Sequence, residues 1–205
     1  MIDLEEDLPI NLYHGTSSIF LPWIKRYGLG GFEILKEFEL QTVFEDLCTV
    51  LEKSTQKSEW WRINSPVCKA MIANEVTTGG ENFRFGQVYA SPAVKTAIGY
   101  ANSNEYGSEY LSILVKAYED VKRISLGLAE QLFPYSPLRE LIHCPNKPIL
   151  ITVTNLKYKD LSTEHGDDIQ EQLEGNAIYE DMFCLPPNFT IAKIVPYDDL
   201  KIEYL

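Results

Sequence analysis

Residues 11–31, NLYHGTSSIFLPWIKRYGLGG, change from a strand pattern to a helix pattern within a few positions. Residues 11–14 are a short stretch of apolar and polar side chains and predict a strand that stops at Gly15-Thr16. Ser17 or Ser18 is a suitable N-cap for the helix that follows. Four large apolar residues then repeat at helical spacing: Phe20, Trp23, Ile24 and Tyr27. Gly28 is expected to end this helix, because glycine readily adopts the conformation needed at a helix C-terminus.

Helical patterns dominate the next part of the chain. An amphipathic helix is predicted from six residues at helical spacing: Phe38, Val43, Phe44, Leu47, Val50 and Leu51. A second helix is expected from Trp60 to Asn74, followed by a loop at 77–80. Three more helices are predicted: Pro92 to about Asn102, Glu109 to Lys122 and Leu126 to Phe133. The first two of these helices lie within residues 33–82, which are therefore predicted to be a mainly helical segment.

Strand patterns return toward the end of the chain. The clearest is Pro148 to Asn155, PILITVTN, which is rich in β-branched residues. The other predicted strands are Phe85 to Ala90, Ile178 to Cys184, Phe189 to Val195 and Leu200 to Tyr204. Residues 167–173 fit either a short helix or an acidic loop. The whole pattern predicts an α+β fold in a single domain, 1–205, with a helical insertion at about 33–82.

Composition excludes several classes of protein. The formal net charge of -12 disfavours a protein that coats nucleic acid nonspecifically, because the phosphate backbone is repelled. The four cysteines lack CxxC spacing, so we expect no zinc site and no other metal. The first residues are acidic and lack the apolar core of a signal peptide, and no run is long enough to cross a membrane. We therefore expect a cytoplasmic protein that does not bind membranes.

Three short segments carry side chains suited to chemistry. Leu12 to Thr16 presents an imidazole, a glycine that allows close approach of a ligand, and a hydroxyl at one strand end. Tyr89 closes a strand and Tyr100 lies on the following helix, so the two rings can sandwich a flat heterocycle. Glu180 and Asp181 lie inside a predicted strand, where acidic residues are disfavoured. A carboxylate there could stabilise an oxocarbenium-like transition state.

These segments resemble the motifs of ADP-ribosyltransferases of the poly(ADP-ribose) polymerase type. His14-Gly15-Thr16, through Ile24 to Gly28-Leu29, is similar to the His-Gly-Ser/Thr strand and Ile-x-x-x-Gly-Leu helix of that family. Val88-Tyr89-Ala90 resembles its second motif, in which a stacking tyrosine follows eleven residues after the strand tyrosine. The Glu180 strand before residues 186–191 is similar to its third motif. The resemblance implies the family's split β-sheet core.

The resemblance also implies the site and the reaction. The co-substrate would be NAD, and the residues that bind it would be His14, Gly15, Thr16, Tyr89, Ala90 and Tyr100. The catalytic residues would be His14, Tyr89 and Glu180. The implied activity is cleavage of NAD and transfer of ADP-ribose to a protein or nucleic acid, as in bacterial and phage effectors, toxins and antiphage defence proteins.

Each implied role is specific. His14 would hold the 2′-hydroxyl of the adenosine ribose, and Gly15 backbone groups the nicotinamide carboxamide, with Thr16 on the adenosine side. Tyr100 would stack on the nicotinamide ring and Tyr89 would close the other side. Glu180 would bond the nicotinamide ribose and stabilise the cation as nicotinamide leaves.

The chain departs from the family pattern in two places. Ala97 stands where many relatives have a serine that bonds the carboxamide, and Thr96 is the neighbouring substitute. Asp181 remains a rival to Glu180, because the register of the strand is not known from sequence. Two alternatives also stay open. One is a tRNA 2′-phosphotransferase, for which Arg139 and His143 are candidates, and the other is a catalytically silent module that binds NAD, ADP-ribose or a partner.

Eight acidic residues and no Lys or Arg occur between 160 and 181. They are Asp160, Glu164, Asp167, Asp168, Glu171, Glu174, Glu180 and Asp181. Such a run is typical of a solvated loop and helix face. It also suits a docking surface for a basic partner, such as an antitoxin.

Overall fold

The computed structural model describes residues 3–73, 85–134, 136–164, 169 and 188–205. The chain divides into two compact units. Unit 1 comprises Met1–Phe32, Gln87–Glu105 and Lys147–Leu205, and unit 2 comprises Glu33–Gly86 and Tyr106–Asn146. The predicted helical insertion lies within unit 2, which also takes in the later helical segment.

Unit 1 contains two antiparallel three-stranded sheets. The strands are β1 (Leu12–Ser17), β2 (Val88–Ala90), β3 (Pro148–Val153), β4 (Leu161–Thr163), β5 (Phe189–Ile191) and β6 (Leu200–Tyr204). One sheet has the order β1-β3-β6 and the other the order β2-β5-β4. Helices and antiparallel sheets occur together, which confirms the prediction of a mixed α and β protein at that level.

Strand β1 is longer than its sequence predicts. The expected stop at Gly15-Thr16 is wrong, because all six residues of β1 pair with β3, with His14 opposite Ile151 and Gly15 opposite Leu150. Leu12, His14 and Thr16 share one face of the strand by alternation. That face belongs to the core, where Leu12 is fully buried.

One cluster of buried apolar side chains draws on both sheets of unit 1 and on α1 (Leu21–Tyr27). Alternate residues of β3, namely Ile149, Ile151 and Val153, are all fully buried in it. The β2-β5-β4 sheet contributes Ala90, Leu161, Phe189 and Ile191. Burial of this apolar surface is the main stabilising contribution in unit 1.

The structure confirms the predicted end of α1 at Gly28, but Ser17 caps the 3₁₀ turn before α1, and the N-cap residue of α1 itself is Phe20. The Ser17 hydroxyl accepts a hydrogen bond from the Ile19 N–H at the start of a short 3₁₀ turn, Ser18–Phe20. Gly28 ends α1 with φ of 81°, a left-handed value that side chains disfavour. The residue after it, Leu29, exchanges two backbone hydrogen bonds with Val195, at 2.8 and 3.0 Å.

The helix predicted to open at Pro92 begins later. This helix, α5, spans Val94–Ser103, and Ala93 is its N-cap residue. Ser91 bridges to Tyr13 in extended conformation, and its hydroxyl accepts a hydrogen bond from the Ala93 N–H. These contacts hold the backbone around Ser91 outside the helix.

Unit 2 is helical in the residues that the structure describes. Its helices are α2 (Ile34–Glu37), α3 (Leu40–Lys53), α4 (Glu59–Ala73), α6 (Glu109–Ile124), α7 (Leu126–Leu132) and α8 (Pro137–Ile142). The helices predicted at 60–74, 109–122 and 126–133 are confirmed. The prediction that Phe38 belongs to the same helix as Val43 and Phe44, which is α3, is wrong. Phe38 caps α2 instead, and Glu39, with φ of 49°, separates the two helices.

Buried aromatic side chains fill the interior of unit 2. Phe44 on α3 is fully buried and packs edge-on against Tyr110 of α6, with ring centroids 5.3 Å apart. Trp61 is 1% exposed and packs into the core. Its indole N–H donates to Glu52.

Several elements differ from prediction at the level of single strands. The strands predicted at 85–90 and 189–195 shorten to β2 and β5, which pair with each other over three residues, and β5 also pairs with β4. β4 and α8 were not predicted. The predicted strand at 178–184 and loop at 77–80 lie outside the described residues, as does all of 167–173 except Ile169. No helix in the described ranges is long and apolar enough to cross a membrane.

Candidate active site

His14 is held at one edge of unit 1 by a hydrogen bond to the second predicted motif. Its Nδ1 lies 2.7 Å from the carbonyl oxygen of Tyr89. Because a carbonyl can only accept, Nδ1 carries the hydrogen, and in the neutral ring Nε2 carries the lone pair. Burial lowers the pKa of His14 below its ordinary value, and the bond to Tyr89 only partly opposes this. The neutral ring is therefore favoured, with Nε2 as an acceptor.

A second contact fixes the same two segments. The Tyr13 N–H donates to the Ser91 carbonyl at 2.8 Å, and the Ser91 N–H donates back to the Tyr13 carbonyl at 2.9 Å. This isolated bridge continues β2 along the edge of β1. The motif around His14 and the motif around Tyr89 are thus adjacent in space.

In the structure, Gly15 allows strand β1 and helix α5 to pack closely. A Cβ at Gly15 would overlap the carbonyl oxygen of Ala97, and would lie 2.8 Å from its carbonyl carbon and 3.0 Å from the Ala101 nitrogen. The missing side chain is therefore needed for α5 to lie against β1. Contact between Gly15 backbone groups and a carboxamide stays a prediction.

Helix α5 presents two residues on its exposed side. Tyr100 is 41% exposed, and Thr96, one turn earlier, is also exposed. Residues four apart share a helix face, so the ring and the hydroxyl are neighbours. Ala97 is buried against β1. Ala97, which replaces the serine of many relatives, is therefore covered by strand β1. Thr96 lies on the same helix face as Tyr100, the predicted stacking residue.

The remaining predicted binding residues are buried or half-buried. Thr16 is 2% exposed and Ala90 is 3% exposed, so neither side chain is presented to solvent. Tyr89 is half-buried and pairs with Thr190 across β2 and β5. The structure therefore brings together His14, Tyr89 and α5 with Tyr100 in unit 1.

Glu180 and its rival Asp181 lie outside the described residues. Their assignment stays a prediction from sequence. The strand that follows them, β5, lies between β2 and β4, and pairs Thr190 with Tyr89.

The candidates for phosphate chemistry, Arg139 and His143, lie in unit 2, and the Arg139 side chain is already engaged. The guanidinium of Arg139 donates to the Phe133 carbonyl at 3.1 Å and the Tyr118 hydroxyl at 3.1 Å, and pairs with Glu130 at 3.3 Å. His143 caps the end of α8. Arg139 therefore connects parts of unit 2, a role that sequence reasoning missed.

The acidic run from residue 160 is described only in part. Asp160 has a side chain that is 11% exposed, pairs with Lys193 at 2.6 Å and accepts the Lys157 N–H at 2.9 Å. Burial opposes ionisation of Asp160, but these partners outweigh it and lower the pKa of its carboxyl. Asp160 thus fixes the turn before β4 instead of contributing an open acidic surface. The acidic residues from 167 to 181 lie outside the described part of the chain.

No protein-family model, curated protein or solved structure matches this chain. Within the described ranges, no group of three or more His, Cys, Asp or Glu side chains is arranged to hold a metal ion.

Proposed function

We propose that the protein is a mono-ADP-ribosyltransferase that cleaves NAD and transfers ADP-ribose to a protein or nucleic acid. The observation that carries the proposal is the 2.7 Å hydrogen bond from His14 to the Tyr89 carbonyl. It joins two motifs that sequence alone related only by resemblance. The joined segments belong to unit 1, which holds both antiparallel sheets.

The state of His14 supports the role that the resemblance assigns to it. A neutral ring whose Nδ1–H is bonded to a carbonyl offers Nε2 as an acceptor for a hydroxyl. The 2′-hydroxyl of the adenosine ribose is such a donor. A charged imidazolium would lack the lone pair, so the lowered pKa of His14 favours this use.

Helix α5 supports binding of the nicotinamide end. Tyr100 offers a partly exposed aromatic face, which attracts a flat cationic ring such as the nicotinamide of NAD. Thr96 on the same face can bond a carboxamide. The close packing at Gly15 fixes this face relative to His14.

The proposed reaction breaks the bond between the nicotinamide nitrogen and ribose C1′. The electron pair of that bond stays with nicotinamide, which leaves as a neutral molecule. The acceptor nucleophile then bonds C1′ and gives up its proton. Glu180 is proposed to bond the ribose hydroxyls and stabilise the oxocarbenium-like transition state.

Release of nicotinamide from NAD tests the proposal directly. The wild-type protein is incubated with NAD alone, beside Glu180→Gln and Asp181→Asn, and nicotinamide is measured by chromatography. We expect slow release by the wild type and by Asp181→Asn, and none by Glu180→Gln. If all three proteins bind NAD and none releases nicotinamide, a silent binding module is the correct description. Absence of NAD binding by the wild type would refute the proposal.

The acceptor class needs a second experiment. Labelled NAD is added to a cell lysate with the wild-type protein, and the labelled product is treated with protease or with nuclease. The enzyme that destroys the labelled product identifies the acceptor as protein or nucleic acid. Glu180→Gln protein in the same lysate shows how much label other enzymes transfer.

A further inference from the structure

Strand β6 lies at the edge of the β1-β3-β6 sheet, paired with β3 on one side. In the part of the chain that the structure describes, no strand pairs with its other side. Tyr204 on this strand is 62% exposed, and Leu205 beside it is 44% exposed. An edge strand with exposed apolar residues is a template for pairing with another strand.

The hydrogen bonds to β3 determine which backbone groups of β6 point outward. The Leu205 N–H donates to the Pro148 carbonyl at 3.0 Å, so residues 205 and 148 form a hydrogen-bonded pair. Antiparallel pairs alternate, so Lys201 and Glu203 also direct their backbone groups toward β3. The N–H and C=O groups of Leu200, Ile202 and Tyr204 therefore point away from the sheet.

We infer that β6 is a self-association surface, on which β6 of a second copy pairs antiparallel, with Ile202 opposite Ile202. This inference is independent of the proposed function. In this register all three outward residues of each strand fall in hydrogen-bonded pairs, because Leu200 lies opposite Tyr204 and Ile202 opposite itself. The two sheets then join into one sheet across a two-fold axis.

Charge selects this register over its neighbours. Centred on Ile202, the pairing places Lys201 of each copy opposite Glu203 of the other, in non-hydrogen-bonded pairs, where side chains approach most closely. Centring on Lys201 would place two lysines opposite each other, and centring on Glu203 two glutamates. Within one copy Lys201 and Glu203 already pair at 2.7 Å, with side chains 74% and 47% exposed. The four charges of the dimer would therefore alternate in sign.

Lysine on an edge strand usually prevents pairing. Here the lysine is followed two residues later by a glutamate on the same face, so the strand is complementary to itself. Leu200 and Ile202 are partly buried and pack against the core of unit 1. Tyr204 would cover Leu200 of the other copy, which buries part of its exposed ring.

Sedimentation velocity over a range of protein concentrations tests the inference. We expect the wild type to dimerise reversibly. Lys201→Glu places four glutamates together at the two-fold axis, and should raise the dissociation constant about tenfold or more. The double variant Lys201→Glu/Glu203→Lys reverses both charges and restores the alternation, so it should dimerise like the wild type.

Two controls make the outcome decisive. Lys36→Glu changes the net charge equally at an exposed residue of unit 2, and it should leave dimerisation unchanged. Circular dichroism and thermal melting check that each variant is folded, which is expected because an exposed ion pair contributes little to stability. The inference is overturned if the wild type is monomeric throughout, if Lys201→Glu dimerises as well as the wild type, or if the double variant fails to recover.

Discussion

Gly15 of β1 and Ala97 of α5 meet backbone to backbone, with no side chain between strand and helix. A Cβ on Gly15 would lie 2.8 Å from the Ala97 carbonyl carbon, closer than real Cβ contacts occur. Because both partners are backbone in regular structure, neither can move aside cheaply. The spacing between the His14 strand and the Tyr100 helix therefore depends on this glycine.

Gly15→Ala should accordingly lower the free energy of unfolding by about 3 kcal/mol. Gly99→Ala is the matched control, since it lies in α5 and its Cβ would meet nothing within 4 Å. That substitution should be neutral or stabilise by up to about 1 kcal/mol, as alanine favours helix. Urea unfolding measures both. Equal stability of the two variants would contradict the close packing.

Two substitutions should separate the structural role of His14 from its role in binding NAD. In His14→Asn the amide nitrogen can still donate to the Tyr89 carbonyl, but no atom replaces Nε2. We expect this variant to keep stability within about 1 kcal/mol and to lose NAD affinity about tenfold or more. His14→Ala should lose both. Isothermal titration calorimetry measures the NAD affinity of each variant. If His14→Asn binds NAD as tightly as the wild type, the proposed contact between His14 Nε2 and NAD is wrong.

The lowered pKa of His14 predicts how stability depends on pH. In the unfolded chain this histidine takes up a proton near its ordinary pKa of about 6.5, while the folded ring resists protonation until a lower pH. The unfolded state then binds more protons, so the free energy of unfolding falls as pH drops below about 6.5. The stability that neutral His14 contributes is fully present above the pKa of the unfolded chain. It is lost as the pH falls to the pKa of His14 in the folded protein.

Urea unfolding of the wild type and His14→Asn from about pH 5 to pH 8 isolates this effect. The difference in stability between the two proteins should shrink as the pH falls, because only the wild type loses the contribution of a neutral His14. The carboxylates are common to both proteins, so their effects cancel in the difference. A difference that is constant over this range would show that His14 titrates normally in the folded protein.

Tyr100 should contribute to NAD binding through its ring. Because its side chain is partly exposed, Tyr100→Ala should change stability by no more than about 0.5 kcal/mol. It should weaken NAD binding about tenfold through loss of stacking. Tyr100→Phe keeps the ring and should bind NAD like the wild type. If both variants bind equally well, the stacking assignment fails.

Asp120 should be a strong determinant of the stability of unit 2. Its buried carboxylate accepts hydrogen bonds from the Ser58 hydroxyl and from Arg123, at 2.8 Å for the latter. Ser58 in turn accepts the Trp61 N–H at 3.0 Å in the first turn of α4. Asp120→Ala should lower the free energy of unfolding by about 2–3 kcal/mol. The neighbouring Glu119→Ala, which breaks only an exposed pair with Lys122, should cost less than about 0.5 kcal/mol.

Sequence patterns predicted the elements whose signals are local. Helix α6 was predictable from the helical length of its segment, and the end of α1 from Gly28, because both signals come from neighbouring residues. The extent of β1 could not be predicted, because it depends on pairing with β3, far along the chain. Short strands such as β4 carry too few residues for a periodic signal.

The residues of the candidate site could be identified from the sequence, but their arrangement in space could not. His14 and Tyr89 were identified from their motifs, while the bond between them required the three-dimensional structure. The packing of α5 against Gly15 could not be predicted, since a glycine that admits a helix and one that admits a ligand look identical in sequence. The sequence likewise predicts Asp160 to be a solvated surface charge. Its ion pair with Lys193 could not be predicted, because the two residues are remote in sequence.

The pairing of β1 with β3 also bears on how the chain is made. Strand β1 is synthesised before unit 2, but β3 begins only at Pro148, after every residue of unit 2 has been synthesised. At ordinary rates of synthesis the delay is on the order of ten seconds. During that time the helices of unit 2 can form from near neighbours, whereas His14 has no strand to pair with. Unit 1, and the NAD site proposed in it, can therefore be assembled only after all of unit 2 has been synthesised.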